Sequence, residues 1–427
     1  MRGTEGVADV PGLEDILNDP LAVTKAITHG THRSRVLDQT MKLAWDAREV
    51  AGVSRVSDVT GLDYVGIPVV NTVRPFAERG NLTVTCGKGL TLTAAKVSAL
   101  MEAIERYCGE QHGRTGTHGS FADLRTKQPT LNPRRLILGR HTTWTPDSRL
   151  EWWRARELFS NEQVLIPAAA VFTPYHHGSA PRLLGSHSDG LASGNCLAEA
   201  VLHGLYELIE RDCTAFGETL RRAQRVRLET LPAPAAHLAD KLQDAGIAVH
   251  LFMFSNEISL PTFYAIADDE QSQDGLLVNG GAGCHLDPLV AACRALTEAA
   301  QSRLSVLSGG REDLWRHNGR RKADYDVVKA ALGPWLDIPA TIDLGDLPDL
   351  SSGSINEDVR SVLQRVRDGG FPHVFVADLT LPDLPFRVVR VVVPGFEFYH
   401  QERDRVGPRL ARALAGARSP HYSEATV

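Results

Sequence analysis

The chain contains no CxxC pair. Its six cysteines, Cys86, Cys108, Cys196, Cys213, Cys284 and Cys293, are scattered singly, so neither a zinc site nor a thioredoxin-type motif is encoded. Long runs of Lys and Arg are missing too, as is any basic stripe with interleaved aromatics. The net charge is −6 and aromatics make up 6% of residues. A nucleic-acid partner is therefore not expected. Apolar runs are short: "VVRVVVPGF" is about the longest and carries an arginine, which argues against a membrane-spanning helix. The opening "MRGTEGVADVPGLEDILNDP" is acidic and broken by Gly and Pro, unlike a secretory signal. A reduced, cytoplasmic protein with buried free thiols is expected. Finally, "TCGKGLT" is not a P-loop. Gly89 follows Lys88 where Ser or Thr is required, and the upstream Gly is missing.

The 427 residues, 43% of them hydrophobic, suffice for a large core. Stretches rich in β-branched residues alternate with helical spacings, and no short repeat period is present. The expected class is mixed α/β. An N-terminal arm covers 1–30, one catalytic domain 31–415 and a flexible tail 416–427. The arm is expected to pack loosely, with a short helix at "LEDILND". The segment 120–190 reads as loop-rich, with a strand at "QVLIPAAAVF".

The informative feature is a near-copy. "EAIERYC" at 102–108 returns as "ELIERDC" at 207–213. On a helix over 94–110, Val97, Leu100, Met101, Ile104 and Cys108 gather on a core face, and Ser98, Glu102 and Glu105 line the adjoining stripe. The second helix, 196–216, turns Leu202, Leu205 and Ile209 inward and sets Glu199, Glu207 and Glu210 beside them. Like charges three apart repel by about 0.2–0.5 kcal/mol, and partial burial raises the cost. Arg106 and Arg211, each four residues after a Glu, could simply pair with them as surface ion pairs of little worth. The copying favours a shared site instead. Each helix follows a glycine turn, Lys88-Gly89 or Ser193-Gly194, at one common distance. A third unit, "GGAGC" then "LTEAAQSRL", repeats the plan more loosely. There Glu298 and Gln301 keep the spacing, and Arg294 lies four residues before Glu298. Four carboxylates would repel phosphates unless divalent ions bridge them. Mg²⁺ accepts carboxylate oxygens and leaves room for phosphates. Lys88, the N–H groups of the glycine turns and a late Arg could hold those phosphates.

Three strings, "GKGLTLTAAKVSALMEAIER", "GLASGNCLAEAVLHGLYELIERDC" and "DPLVAACRALTEAAQSR", resemble the YcaO superfamily, ATP-dependent enzymes that modify peptide backbone amides. The resemblance spans roughly residues 30–400. It implies a YcaO-type ATP-binding fold of repeated glycine-turn/helix units. It also implies that Glu102, Glu105, Glu207 and Glu210 ligate Mg²⁺ bound to ATP. Nucleotide contacts would fall to Lys88, Ser98, Arg106, Ser193, Asn195, Glu199 and Arg211, to Arg303 or less well Arg311, and to Arg33 and Thr40 near the N-terminus. Ala192 stands where some members carry Ser, with Ser193 beside it. No PxPxP tail of the azoline-forming type is present. "RVVRVVVPGFEFYHQER" is similar to the C-terminal region of members that act with a TfuA-like protein and install thioamides. The resemblance thus implies a peptide or protein substrate, a sulfide donor, a TfuA-like partner and a homodimer. Azoline or amidine formation, or a non-catalytic leader-peptide scaffold, are the alternatives. No general base is assigned.

Four other features carry bland readings. His29 and His32 of "HGTH" read as a surface turn. His187, His203 and His285, near the glycine turns, read as structural. Cys196 and Cys284 read as small buried residues rather than sulfur carriers. Arg74 reads as part of the core sheet, with a substrate contact as the alternative.

Overall fold

The computed structural model describes residues 10–28, 30–317, 324–399 and 402–417. His29 and residues 418–427 of the expected tail lie outside the described residues.

Three strand-then-helix units organise the fold. In the first, β1 (Val84–Lys88) leads into α1 (Leu92–Gly109). In the second, β2 (Leu191–Gly194) leads into α2 (Leu197–Leu220). In the third, β3 (Val278–Cys284) leads into α3 (Pro288–Ser308). The helix starts follow local chemistry. Thr91 caps α1 through the Ala94 N–H. Asp287 caps α3 through the Leu289 N–H, with Pro288 in the first turn. The Leu197 N–H of α2 donates to Asp19 from the N-terminal region at 3.2 Å.

Each of these strands is the edge of a different sheet. β1 ends a three-stranded antiparallel sheet with Arg55–Asp58 and Val69–Val73. β2 ends a sheet built from Arg387–Val392, Phe375–Asp378, Arg149–Glu157 and Thr117–Ser120. β3 ends a five-stranded sheet with Thr262–Asp268, Ala248–Phe254, Ala223–Val226 and Ala340–Ile342.

The three helices anchor separate hydrophobic clusters. Leu100, Ala103, Ile104 and Cys108 of α1 join one. Leu202, Leu205, Ile209 and Cys213 of α2 join a second, and Ala295, Leu296, Ala299 and Ala300 of α3 a third. Of the expected α1 core face, Val97 instead lines a cavity, and Met101 both packs against the α1 cluster and lines that cavity. Besides its own strand, α1 packs against β2, α2 against β3 and α3 against β1. The units therefore close on one another in a ring.

The glycines before the helices are there for close approach. A Cβ on Gly87 would lie 2.0 Å from the Ala99 nitrogen, and one on Gly283 would lie 2.1 Å from the Ala291 oxygen. Strand backbone rests directly on helix backbone in both units, at equivalent positions.

Two expectations fail here. The N-terminal region is not loosely packed over residues 10–28. Ile16 is buried in the α2 cluster, and Lys25 pairs with Asp358 at 2.5 Å, because α2 and the helix Ile355–Asp368 present it with apolar and acidic partners. The segment 120–190 also holds a strand that loop-like composition concealed. Arg149–Glu157 pairs with Gln163–Pro167 and with Thr117–Ser120.

Candidate nucleotide and metal site

A cavity of about 1400 Å³ opens where the three units meet. Arg33, Thr40, Lys88, Ser98, Glu102, Glu105, Arg106, Ser193, Asn195, Glu199, Glu207, Glu210 and Arg211 all line it. The two acidic stripes therefore do meet.

Each carboxylate is held by named neighbours. Glu102 accepts from Arg106 Nε at 2.6 Å. Glu105 crosses from α1 to β2, where the Ser193 N–H and hydroxyl donate to it at 2.8 and 3.1 Å. Glu207 accepts from the Gly190 N–H at 3.1 Å. Arg211 lies 3.2 Å from Glu210, 3.8 Å from Glu207 and 3.4 Å from buried Asp189. At the N-terminal side, Thr40 donates to Asn195 at 3.1 Å. Asn195 donates to Glu199, which also accepts from the Ser34 N–H and hydroxyl and lies 3.7 Å from Arg33.

These contacts leave the acid cluster short of positive charge. Burial pushes the Glu105 carboxyl well above its ordinary value, and Glu102 and Glu207 push it further. Burial raises Glu207 to about 8 although Arg211 opposes it, and Glu210 is raised by burial too. Uncompensated buried carboxylates call for a cation. Among the described residues, no three His, Cys, Asp or Glu side chains converge as a complete ligand set. Paired carboxylates suit Mg²⁺, which takes oxygen ligands and fills its remaining positions with water and phosphate. Glu102, Glu105, Glu207 and Glu210 would hold it.

Two readings are corrected. Arg303 does not face the cavity. It is 1% exposed and pairs with Asp63 and Asp269 at 2.8 and 2.7 Å, because it projects from the opposite side of α3. Arg311 does line the cavity, paired to Asp313 at 2.6 Å. So does Arg294, whose buried Nε has no hydrogen-bond partner among the described residues. Arg294 bears to Glu298 the spacing that Ser98 bears to Glu102 and His203 to Glu207; that regularity was the signal for it. The glycine-turn amides are also partly committed elsewhere. Lys88 N–H donates to Ser98 and Ser193 N–H to Glu105, so these two do not reach out to phosphate. Arg74, by contrast, is the core residue it was read as, donating to Glu110 and to the Ala51 carbonyl at 2.8 Å each and 2% exposed, so the alternative of a substrate contact falls away.

The histidines and cysteines divide by position. His203 lines the cavity, and burial beside Arg294, Arg33 and Lys88 keeps it neutral. His187 also lines it, 3.1 Å from Asp189. His285 packs against Tyr206 and His32. All six cysteines are buried and free, and burial raises the Cys196 thiol to about 11, as expected of inert core thiols.

A mixed α/β fold with acidic stripes, a lysine and several arginines around one cavity defines a site for a polyphosphate with divalent cations. Comparison with known proteins gives the class its name. A family model described as YcaO cyclodehydratase, ATP- and Mg²⁺-binding, matches residues 86–397; the chain belongs to the YcaO family. An uncharacterized protein of Methanothermobacter thermautotrophicus is 38% identical over 381 residues, covering 88% of this chain and 98% of that one. A Rhizobium leguminosarum bv. trifolii protein, described by its position in the tfuA 3′ region, is 32% identical over 389 residues, covering 86% and 89%. The structure of YcaO from Methanopyrus kandleri bound with AMPPCP and Mg²⁺ matches at a TM-score of 0.76 and 25% identity over 90% of this chain and 98% of that one. A heterocyclase in complex with substrate and cofactor shares the fold at a TM-score of 0.72 and 22% identity, over 90% of this chain and 55% of that one. No described helix is long and apolar enough to cross a membrane.

Proposed function

We propose that this chain binds ATP and Mg²⁺ in the central cavity, activates a backbone amide of a ribosomally made peptide or protein, and replaces the amide oxygen with sulfur. The observation that carries the reading is the convergence of both Glu pairs with Lys88, Arg106, Arg211 and Arg294 on one cavity. The Methanopyrus relative was solved with an ATP analogue and Mg²⁺, which supports the same assignment.

The chemistry balances with hydrosulfide as co-substrate. Hydrosulfide adds to the amide carbon, forming a C–S bond and an oxyanion. The oxyanion attacks the γ-phosphorus of ATP and ADP leaves. The C–O bond then breaks, phosphate departs with the amide oxygen, the S–H proton is lost and C=S remains. Bound Mg²⁺ would offset charge on the transferring phosphoryl group. The chain's part is positioning. Lys88, Arg211 and Arg294 offer charge to the phosphates, and Arg106 and the Ser193 amide fix Glu102 and Glu105.

The sulfur branch is supported by the relative placed beside tfuA and by the resemblance of "RVVRVVVPGFEFYHQER". A TfuA-like partner and a homodimer belong to this proposal. Azoline formation is the second reading, favoured by the cyclodehydratase description of the family. The test incubates the chain and a TfuA-like partner with MgATP, sulfide and candidate peptide, and reads product mass. Exchange of oxygen for sulfur is expected. Loss of water with no sulfur incorporated would replace this reading with ring closure. Glu105→Ala and Glu210→Ala should each cut nucleotide turnover by about 100-fold or more.

A further inference from the structure

The chain carries a net charge of −6, yet residues 117–149 run against it. They hold six cations, Arg125, Lys127, Arg134, Arg135, Arg140 and Arg149, and two acids, Asp123 and Asp147. All six cations are exposed. Among the described residues none of them forms an ion pair, whereas Arg48, Arg227 and Lys329 elsewhere on the surface each face a carboxylate. The fold gathers the six. Arg149 opens its strand opposite Ser120, and Ser120 caps the short turn Phe121–Leu124 that Arg125 follows. The Arg125 guanidinium lies 5.6 Å over the buried Phe121 ring and that of Arg134 5.9 Å over the buried Trp144 ring, with the two rings 6.3 Å apart. Arg134 and Arg135 share the turn Pro133–Leu136. Stacking on fixed rings limits the freedom of two of these long side chains.

This face runs up to the mouth of the central cavity without being part of it. The Arg140 N–H donates to the Asp404 carbonyl at 3.3 Å, and Glu402, two residues earlier, lines the cavity. The Thr142 hydroxyl donates to the Arg182 carbonyl at 2.9 Å, and Arg182 lines the cavity as well. Buried Arg405 donates to the Leu136 and Ile137 carbonyls at 2.9 and 2.8 Å, which ties the basic loop to the C-terminal segment. Two residues of chain span at most about 7 Å, so the face begins beside the rim.

We infer that residues 125–149 form a docking face for an acidic segment of the peptide or protein substrate, outside the stretch whose amide enters the cavity. The inference rests on the proposed function, because a substrate that reacts at a backbone amide must run out of the cavity. An extended chain covers about 3.3–3.6 Å per residue, so a few residues carry it from the rim onto the face. Unpaired cations attract such a segment over about 8–10 Å and raise its local concentration at the mouth. The size of the ligand decides between acidic partners. A nucleic acid or an anionic bilayer would meet the net negative charge of the whole chain, whereas a short acidic segment meets only the local excess of cations.

The test is fluorescence anisotropy on the full chain with a fluorescein-labelled peptide of alternating Glu and Ser. Binding is expected at low salt, should weaken as salt rises, and should be absent for the matching Lys and Ser peptide. Arg135→Glu combined with Arg140→Glu should weaken it on the order of tenfold. The charge-matched pair Arg222→Glu with Arg360→Glu, exposed and outside the face, should leave it nearly unchanged. AMPPCP binding in excess Mg²⁺ should be the same in every variant. Equal weakening by the two pairs would mean that net charge alone acts, and would overturn the inference, as would no binding of the acidic peptide. Tighter binding of oligothymidylate or of phosphatidylserine vesicles than of the peptide would make the face a nucleic-acid or membrane site and overturn it too. Should the first pair not fold, Arg125→Glu with Lys127→Glu reads the same face. An unmutated chain that holds the acidic peptide but no AMPPCP would instead sink the proposed function.

Discussion

Arg294 and Arg303 stand on the same helix and do opposite things. At about 100° per residue, the spacing between them turns α3 through two and a half turns, so the two point to opposite faces. That geometry is readable from the sequence, and it ranks Arg294, one turn from Glu298, above Arg303. The resemblance alone implied Arg303 in that role. The consequences are separable. Arg303→Met strands Asp63 and Asp269, whose side chains are each 1% exposed. Breaking such a buried pair costs about 3–5 kcal/mol. Its melting temperature should drop clearly while the AMPPCP affinity of the folded protein stays unchanged. Arg294→Met should do the reverse, leaving the melting temperature near that of the unmutated chain and weakening AMPPCP roughly tenfold. Thermal denaturation and calorimetric binding of the two variants check both halves; a nucleotide defect in Arg303→Met would restore the arginine set aside above.

At the scale of elements, the three long helices, their starts and their strands were legible because spacing, capping residues and β-branched runs all agree there. Arg149–Glu157 was also legible in principle. Its Leu150 and Trp152, then Ala155 and Glu157, are buried, with a shift of phase at Trp153 and Arg154; that shift, three arginines and the flanking loops masked the strand. The meaning of the glycines was not legible. A Gly-rich string before a helix reads as a turn, whereas Gly87 and Gly283 lie inside β1 and β3 and let helix backbone come close. Only the partner element shows which of the two applies. Gly87→Ala would force β1 away from α1 and displace the strand that carries Lys88. Overpacking of this kind costs about 1–3 kcal/mol or more, so a lower melting temperature together with weaker nucleotide binding is expected. Gly61→Ala is the control, since a Cβ there meets nothing within 4 Å. If Gly87→Ala melted with the control, the close approach would not matter for stability.

At the scale of the molecule, the ring brings together charges that no single unit could keep ionised cheaply. Acidic side chains from α1 and α2 share one cavity, and the ligand-free fold leaves Glu207 raised to about 8 from an ordinary 4.5. A carboxyl raised on folding supports the fold while protonated. Its contribution is complete below the unfolded value and is lost as pH rises through the folded one. The raised Glu105 and Glu210 act in the same direction. Without ligand, the chain should therefore lose stability between about pH 4.5 and about pH 8. On the proposed reading, divalent cations would supply the missing positive charge and the nucleotide phosphates would help to retain them, so their joint stabilisation should grow over the same window. At a hundredfold excess over Kd, binding adds about 2.7 kcal/mol. Melting curves in chelator and in Mg²⁺ with AMPPCP, taken at both ends of the window, measure this directly. A midpoint shift that is larger at the high-pH end, and larger with both ligands than with either alone, is expected. A shift independent of pH would mean that the carboxylates are already neutralised within the protein, and that the cavity is not built around bound metal.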